Sequence, residues 1–179
     1  MKLKIFVLLL IISTASINYS QLKERDNLLG PSIGFWAYNS VPTFGANYEY
    51  QAAQFGDVAS LGIGGIFRYT AWTDNYTNPD IYSTKFTAIT FGAQGNFNFN
   101  HIGDGRFVPF VGLVLGYESV SYSFSNNYNN YSAAYGSGFW LWAQGGARYF
   151  FTPKVAGVIR LAAGNLNFDV LELGVDFKF

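Results

Sequence analysis

The 179-residue chain contains no cysteine. That excludes a disulfide scaffold, a thiolate metal site and a lipid anchor attached through cysteine. It also suits a chain that crosses an oxidising compartment unfolded. Charge is scarce as well. Only 12% of residues are Asp, Glu, Lys or Arg, against about a quarter in a soluble domain. A surface that poor in charge need not all face water. The formal net charge is zero, which gives no electrostatic footprint for nucleic acid. With a single histidine, His101, a transition-metal site lacks its usual ligands, and no cofactor is expected. Beyond the N-terminus, no run reaches the roughly 18 apolar residues that a membrane helix needs.

What the chain does have is apolar and aromatic residues, 50% and 20% of the total. The length suits one domain. Low charge, many aromatics and no spanning helix point to a membrane barrel. The N-terminus reads as a secretory signal over residues 1–20. Lys2 and Lys4 precede an unbroken apolar run from Ile5 to Ile12, and small and polar residues follow from Ser13 to Ser20. The run is too short to span a bilayer but fits a signal core. Cleavage is expected near Ser20/Gln21, with Ala15 or Ser16 as an earlier site. The remainder then divides into a short periplasmic segment, 21–30, and a barrel, 31–179.

That remainder is a series of apolar–polar alternations between turn residues. Eight strands are expected: about Ser32–Asn39, Phe44–Ala53, Val58–Trp72, Thr84–Asn98, Phe107–Ser123, Gly136–Phe151, Val155–Ala163 and Phe168–Phe179. Connections after the second, fourth and sixth strands are short. Those after the third and fifth, Thr73–Ser83 and Asn126–Ala134, are long, polar and rich in Asn and Tyr. Even strand number with turns at one end and longer loops at the other is the pattern of outer-membrane barrels. The short connections after the first and seventh strands depart from it. The expected fold is all-β, an eight-stranded antiparallel up-and-down transmembrane barrel, with both termini periplasmic.

Period-two alternation sorts the two faces. In the last strand Leu171, Leu173, Val175, Phe177 and Phe179 alternate with Glu172, Gly174, Asp176 and Lys178. In the fourth, Ile89, Phe91, Ala93 and Phe97 alternate with Thr90, Gly92, Gln94, Asn96 and Asn98. The polar face is rich in Gly and amides and almost lacks lysine, unlike a water-facing surface. It suits a narrow lumen, because eight strands enclose a space just wide enough for side chains. The apolar face is therefore assigned to lipid. The lumen then collects the acids Glu49, Glu118, Glu172 and Asp176 and the bases Arg68, Arg148 and Arg160, with Lys178 at its mouth. Buried charges are tolerated when paired, so an ion-pair and amide network that blocks ion flow is expected.

Aromatics are expected in two interfacial girdles. The outer one includes Trp36, Tyr38, Tyr69, Trp72, Tyr117, Tyr122, Phe139 and Trp140, although Trp140 and Trp142 have the inward option. The inner one includes Tyr50, Phe55, Phe97, Phe99, Phe107, Tyr149, Phe151, Phe177 and Phe179.

The alternating final strand, Leu171 to a terminal Phe179, resembles the signal that outer-membrane barrels present to their assembly machinery, with Phe177 and Phe179 as its aromatic elements. Phe107–Gly112 and Gly145–Lys154 also resemble segments of the small OmpA-like and OmpX-like barrels, the "porin family". The resemblance covers the whole chain after the signal. It implies outer-membrane lipid and the barrel-assembly machinery as partners. It implies no single activity, since such barrels include adhesins, structural proteins and stress-response proteins.

An enzyme is not expected. Barrels resembling lipid A deacylases need a Ser–His pair at the outer surface, with an acid orienting the imidazole. His101 falls in a turn at the other end, beside Gly103 and Gly105. Gly62, Gly64 and Gly65 lie inside an alternating strand and make no phosphate loop. Asp74 and Asp80 have no EF-hand spacing. The expected role is structural or surface-interacting, with the loops 73–83 and 125–134 touching an extracellular ligand. The alternatives are a narrow solute channel, a lipid-modifying enzyme and a soluble lipocalin-like barrel.

Overall fold

A computed structural model describes residues 22–35, 41–75, 83–100, 105–124, 136–164 and 171–179. The expected signal, Trp36, Tyr38, Asp80, His101 and the loop 125–134 lie outside these residues. Eight strands follow in chain order: β1 (Asn27–Phe35), β2 (Thr43–Phe55), β3 (Ala59–Asn75), β4 (Ser83–Phe99), β5 (Phe107–Phe124), β6 (Gly138–Thr152), β7 (Val155–Gly164) and β8 (Leu171–Lys178). Each pairs antiparallel with the next, and β8 returns to β1, so the sheet is a closed barrel. Closure removes both sheet edges.

Both described termini lie at one end, with the tight β2–β3 and β6–β7 turns. Gly56 (φ 58°) supplies the left-handed residue of the first turn, and Gly105 (φ 77°) plays the same part before β5. The two register shifts, at Gln51/Ala53 and Phe150/Thr152, also lie at this end, as bulges at barrel rims commonly do.

The first strand is displaced from its expected span, Ser32–Asn39. It starts at Asn27, within the segment expected to precede the barrel. Pro31, which reads as a strand breaker, is tolerated. The β1·β8 pairing runs from Leu29↔Phe177 to Ser32↔Gly174 and skips Gly30 and Pro31, where a ladder donor is missing.

Alternation controls burial throughout. In β8 Glu172 and Asp176 are buried while Leu173 and Phe177 are exposed. Phe91, Leu113, Leu115, Leu141 and Leu161 form part of a continuous outward apolar belt, each more than half exposed. A belt of this kind is far larger than the apolar patches of soluble monomers. Unpaired backbone groups would be very costly in hydrocarbon, and closing the sheet gives every strand a neighbour on both sides.

Trp72, expected in the outer girdle, points inward instead, and Trp140 takes its inward option; they are 5% and 3% exposed. Trp72 stacks on Phe86 across the β3·β4 pair. Trp140 stacks on Trp142, and its ring lies over Gly116 on β5. A Cβ added to Gly116 would stand 2.9 Å from Cζ2 of Trp140. The inward glycines thus make room for large rings, where a lumen of small polar residues was expected. Tyr69 and Phe139 do face outward, as do Phe55, Phe107, Tyr149 and Phe179.

Strands β3, β4 and β5 outgrow their neighbours at the end opposite the termini. β3 last pairs with β2 at Tyr69, and β5 last pairs with β6 at Glu118. Beyond those points the strand register of Thr70–Asn75, Ser83–Ala88 and Ser119–Phe124 runs only among these three segments in the described residues, with Thr70 Oγ1 donating to the Pro42 carbonyl and Val120 N to Ser137 Oγ at its base. Six residues per strand correspond to about 20 Å of strand length. Residues Thr73–Asn75 and Ser83, expected as loop, belong to this three-stranded ribbon. Trp72, Phe86 and Ala88 form its apolar side, with Val41 and Val120 packed against them.

Candidate functional site

The lumen is the only place where the described charged residues are buried together. It is built by alternation: every second residue of each strand turns inward. Glu49 comes from β2, Arg68 from β3, Glu118 from β5, Arg148 from β6, Arg160 from β7, and Glu172 and Asp176 from β8. All seven are buried.

Six of them form one alternating ladder of acids and bases. Arg148 Nη2 lies 2.5 Å from Glu49 Oε2, and its Nε lies 2.7 Å from Asp176 Oδ2. Asp176 also meets Arg160 Nη2 at 3.6 Å. Arg160 Nη1 donates to Glu172 Oε1 at 2.6 Å, and Arg68 Nη2 meets Glu172 Oε2 at 2.5 Å. Three carboxylates thus balance three guanidinium groups. Each planar guanidinium fork joins more than one acceptor, which an ammonium could not do in the same geometry.

Amides satisfy the remaining lone pairs. Glu49 Oε1 accepts from Gln51 and Asn98, each at 2.8 Å, and Oε2 accepts from Asn96 at 2.7 Å. Arg148 Nη1 donates to Asn98 at 2.6 Å, and Arg68 Nη2 donates to Asn47 at 2.7 Å. Gln144 donates to Gln94 and to Asn96 at 3.0 and 2.7 Å. The Arg148 guanidinium also lies 4.5 Å from the centre of the Phe110 ring, a cation–π contact in a desolvated setting. Glu118 accepts from Thr90 Oγ1 at 3.1 Å.

Apolar clusters bracket this polar band. Leu22, Leu28, Val108, Phe150 and Ala156 close the end that carries the termini. Ile66, Val114, Trp140 and Trp142 pack towards the other end. At the mouth, Lys178 Nζ pairs with Asp26 Oδ2 at 3.1 Å.

Sequence reasoning missed Asn100, Ser60 and Ser32. Asn100 Nδ2 donates to Ser60 Oγ at 3.3 Å and to the Leu22 carbonyl at 2.9 Å. Extending the β4 alternation of Asn96 and Asn98 by one more step would have found Asn100.

The chemistry open to this arrangement is limited. The ladder carboxylates are engaged by guanidinium and amide donors, which fixes them as charge partners. Among the described residues no group of His, Cys, Asp and Glu is placed to hold a metal ion. A shallow apolar dent on the outward face, lined by Ile66, Phe91, Ala93, Leu115, Tyr117 and Phe139, gathers no charged group.

No family model matches the sequence, and no curated protein matches it. Solved structures do match in shape. The outer membrane protein OprG from Pseudomonas aeruginosa superposes with a TM-score of 0.60 at 11% identity, over 89% of this chain and 98% of that one. The fold is that of the small outer-membrane barrels. Ail, the attachment invasion locus protein of Yersinia pestis, superposes with a TM-score of 0.52 at 14% identity, over 88% of this chain and 100% of that one. The N-terminal β-barrel domain of P. aeruginosa OprF gives 0.50 at 17% identity, over 87% and 98%. At such identities the likeness is one of fold. It agrees with the resemblance read from the alternating last strand.

Proposed function

We propose that this protein is a non-enzymatic bacterial outer-membrane barrel whose protruding ribbon meets extracellular partners. In this reading the termini face the periplasm, Phe177 and Phe179 engage the assembly machinery, and the outward belt meets lipid. The lumen is a rigid plug, and the ladder from Glu49 to Arg68 fixes the register of the strands around it. The observation that carries the reading is the ribbon of β3, β4 and β5, which continues past the last pairs with β2 and β6.

Crossing a bilayer takes about 9–11 tilted residues per strand. β3, β4 and β5 have 17, 17 and 18, so the surplus serves something beyond spanning. The outward positions of the ribbon, Thr73, Lys85, Ser119, Ser121 and Ser123, are exposed and polar, which suits hydrogen-bonded contact with a macromolecule. Ail, one of the structural neighbours, is named as the attachment invasion locus protein, and an attachment role fits the ribbon here.

The test uses cells displaying the protein on immobilised extracellular-matrix protein. Excising the paired ends Thr73–Asn75 and Ser83–Lys85 keeps the β3·β4 register. Adhesion should fall to the level of cells lacking the protein, while a heat-modifiable gel shift shows the barrel still folded. Equal adhesion by intact and shortened proteins refutes the role of the ribbon.

A further inference from the structure

The lumen ladder does not account for the segment ahead of β1. Leu22 is fully buried, although it precedes the barrel. It packs with Val108, Phe150 and Ala156, which come from β5, β6 and β7. Leu28 of β1 completes the cluster; in the closed order β5 stands opposite β1 and β6 and β7 follow it round, so the chain reaches over the opening before turning into the wall. Asn100 Nδ2, just past β4, donates to the Leu22 carbonyl at 2.9 Å.

The turn that follows is held from several sides. Asp26 N donates to the Lys23 carbonyl at 3.1 Å, and Lys23 N donates back to Asp26 Oδ2 at 2.9 Å. The same carboxylate pairs with Lys178 of β8. Arg25 N donates to the Gln51 carbonyl, and Gln51 N donates to the Asp26 carbonyl, both at 2.9 Å. Arg25 sits at φ 74°, a region that L side chains rarely adopt. Its neighbours therefore over-determine a turn that the local sequence does not favour.

We infer that Leu22–Asp26 is a latch that folds across the mouth of the barrel and locks the β1·β8 seam after that seam has closed. The inference rests on the barrel fold and stands apart from the role proposed for the ribbon. Its partners are Gln51 of β2, Lys178 of β8, Asn100 just past β4, and the apolar cluster to which β5, β6 and β7 contribute, a set present together only when the barrel is shut. An interaction that favours only one of two states shifts the equilibrium towards it. One that forms after the folding transition state slows unfolding and leaves folding unchanged.

The experiment follows folding and unfolding rates of the full chain, purified in detergent, by gel shift and tryptophan fluorescence, with amide exchange read strand by strand. Leu22→Ser and Asp26→Ala should each unfold about tenfold faster or more, with folding rates within about twofold of the original. Exchange should rise in β1 and β8 and stay unchanged in β3, β4 and β5. Arg25→Gly, which suits the left-handed turn, should slow unfolding and keeps the test decisive if Leu22→Ser fails to fold. The latch is refuted if folding slows as much as unfolding quickens, if exchange rises equally in every strand, or if Arg25→Gly hastens unfolding.

Discussion

Arg148 and Glu49 stand 99 residues apart in the chain, and their side chains meet at 2.5 Å inside the barrel. The contact joins β6 to β2 across the lumen, and Asp176 of β8 holds the same guanidinium from another side. Long-range pairs of this kind tie together strands that share no backbone hydrogen bonds.

Breaking the pair from one side should be severe. Arg148→Met leaves Glu49 and Asp176 facing each other without their shared counter-ion. Removing one partner of a buried ion pair costs about 3–5 kcal/mol. The urea midpoint of the detergent-folded protein should fall accordingly. The double change Arg148→Met with Glu49→Gln leaves Asp176 and Glu172 balanced by Arg160 and Arg68, and it should regain a large part of the loss. A double variant no more stable than Arg148→Met contradicts the assignment of the cost to unpaired charge.

Packing around the inward glycines gives a second expectation. A Cβ at Gly116 would lie 2.9 and 3.1 Å from Cζ2 and Cη2 of Trp140. Gly116→Ala should therefore destabilise the barrel by about 1–3 kcal/mol, as overpacked sites do. Trp140→Phe removes the obstructing part of the ring, so the penalty for Gly116→Ala should shrink by more than half in that background. An undiminished penalty places the obstacle elsewhere, the Phe91 carbonyl at 3.2 Å being the next atom in reach.

These glycines also mark where the sequence was readable and where it was not. Strand number, antiparallel order and the two faces of β2, β4 and β8 follow from alternation, because period two leaves no freedom once a face is assigned. Trp72 was misplaced and Trp140 left open because a tryptophan near a strand end satisfies the girdle rule equally well. Only the register, which sets Trp140 opposite Gly116, shows the space that admits the ring. The start of β1 was also missed: the strand passes through Pro31, which is harmless where the seam skips a pair. The acids and bases of the ladder could be gathered from parity, but the partners could not. Glu172 serves both Arg68 and Arg160, and that follows from the curvature of a closed wall.

The filled lumen bears on conduction. Planar bilayers containing the protein should show no long-lived open state. Trp140→Ala with Trp142→Ala removes the apolar layer towards the ribbon and should leave the bilayer silent, because the polar ladder still fills the bore, which is narrow in an eight-stranded barrel. Discrete openings in the unmodified protein, shifted in size when Glu118 is neutralised, identify a channel instead.

The outward belt supports the strongest test of the membrane assignment. Leu113 lies on the outward face of β5 and is 58% exposed. Ser121 is an exposed residue of the same strand, eight positions on, within the ribbon. If the belt meets hydrocarbon, arginine at Leu113 enters the bilayer core and costs about 2–4 kcal/mol, whereas arginine at Ser121 stands in water and costs about 0–1 kcal/mol. Measured in lipid vesicles, Leu113→Arg should lower stability well beyond Ser121→Arg. The contrast should diminish in short-chain detergent, whose thinner apolar shell lets the guanidinium reach water. A soluble barrel predicts a different pattern, with both substitutions mild and both insensitive to the surrounding amphiphile. That pattern would remove hydrocarbon as the partner of Leu113, Leu115 and Phe91.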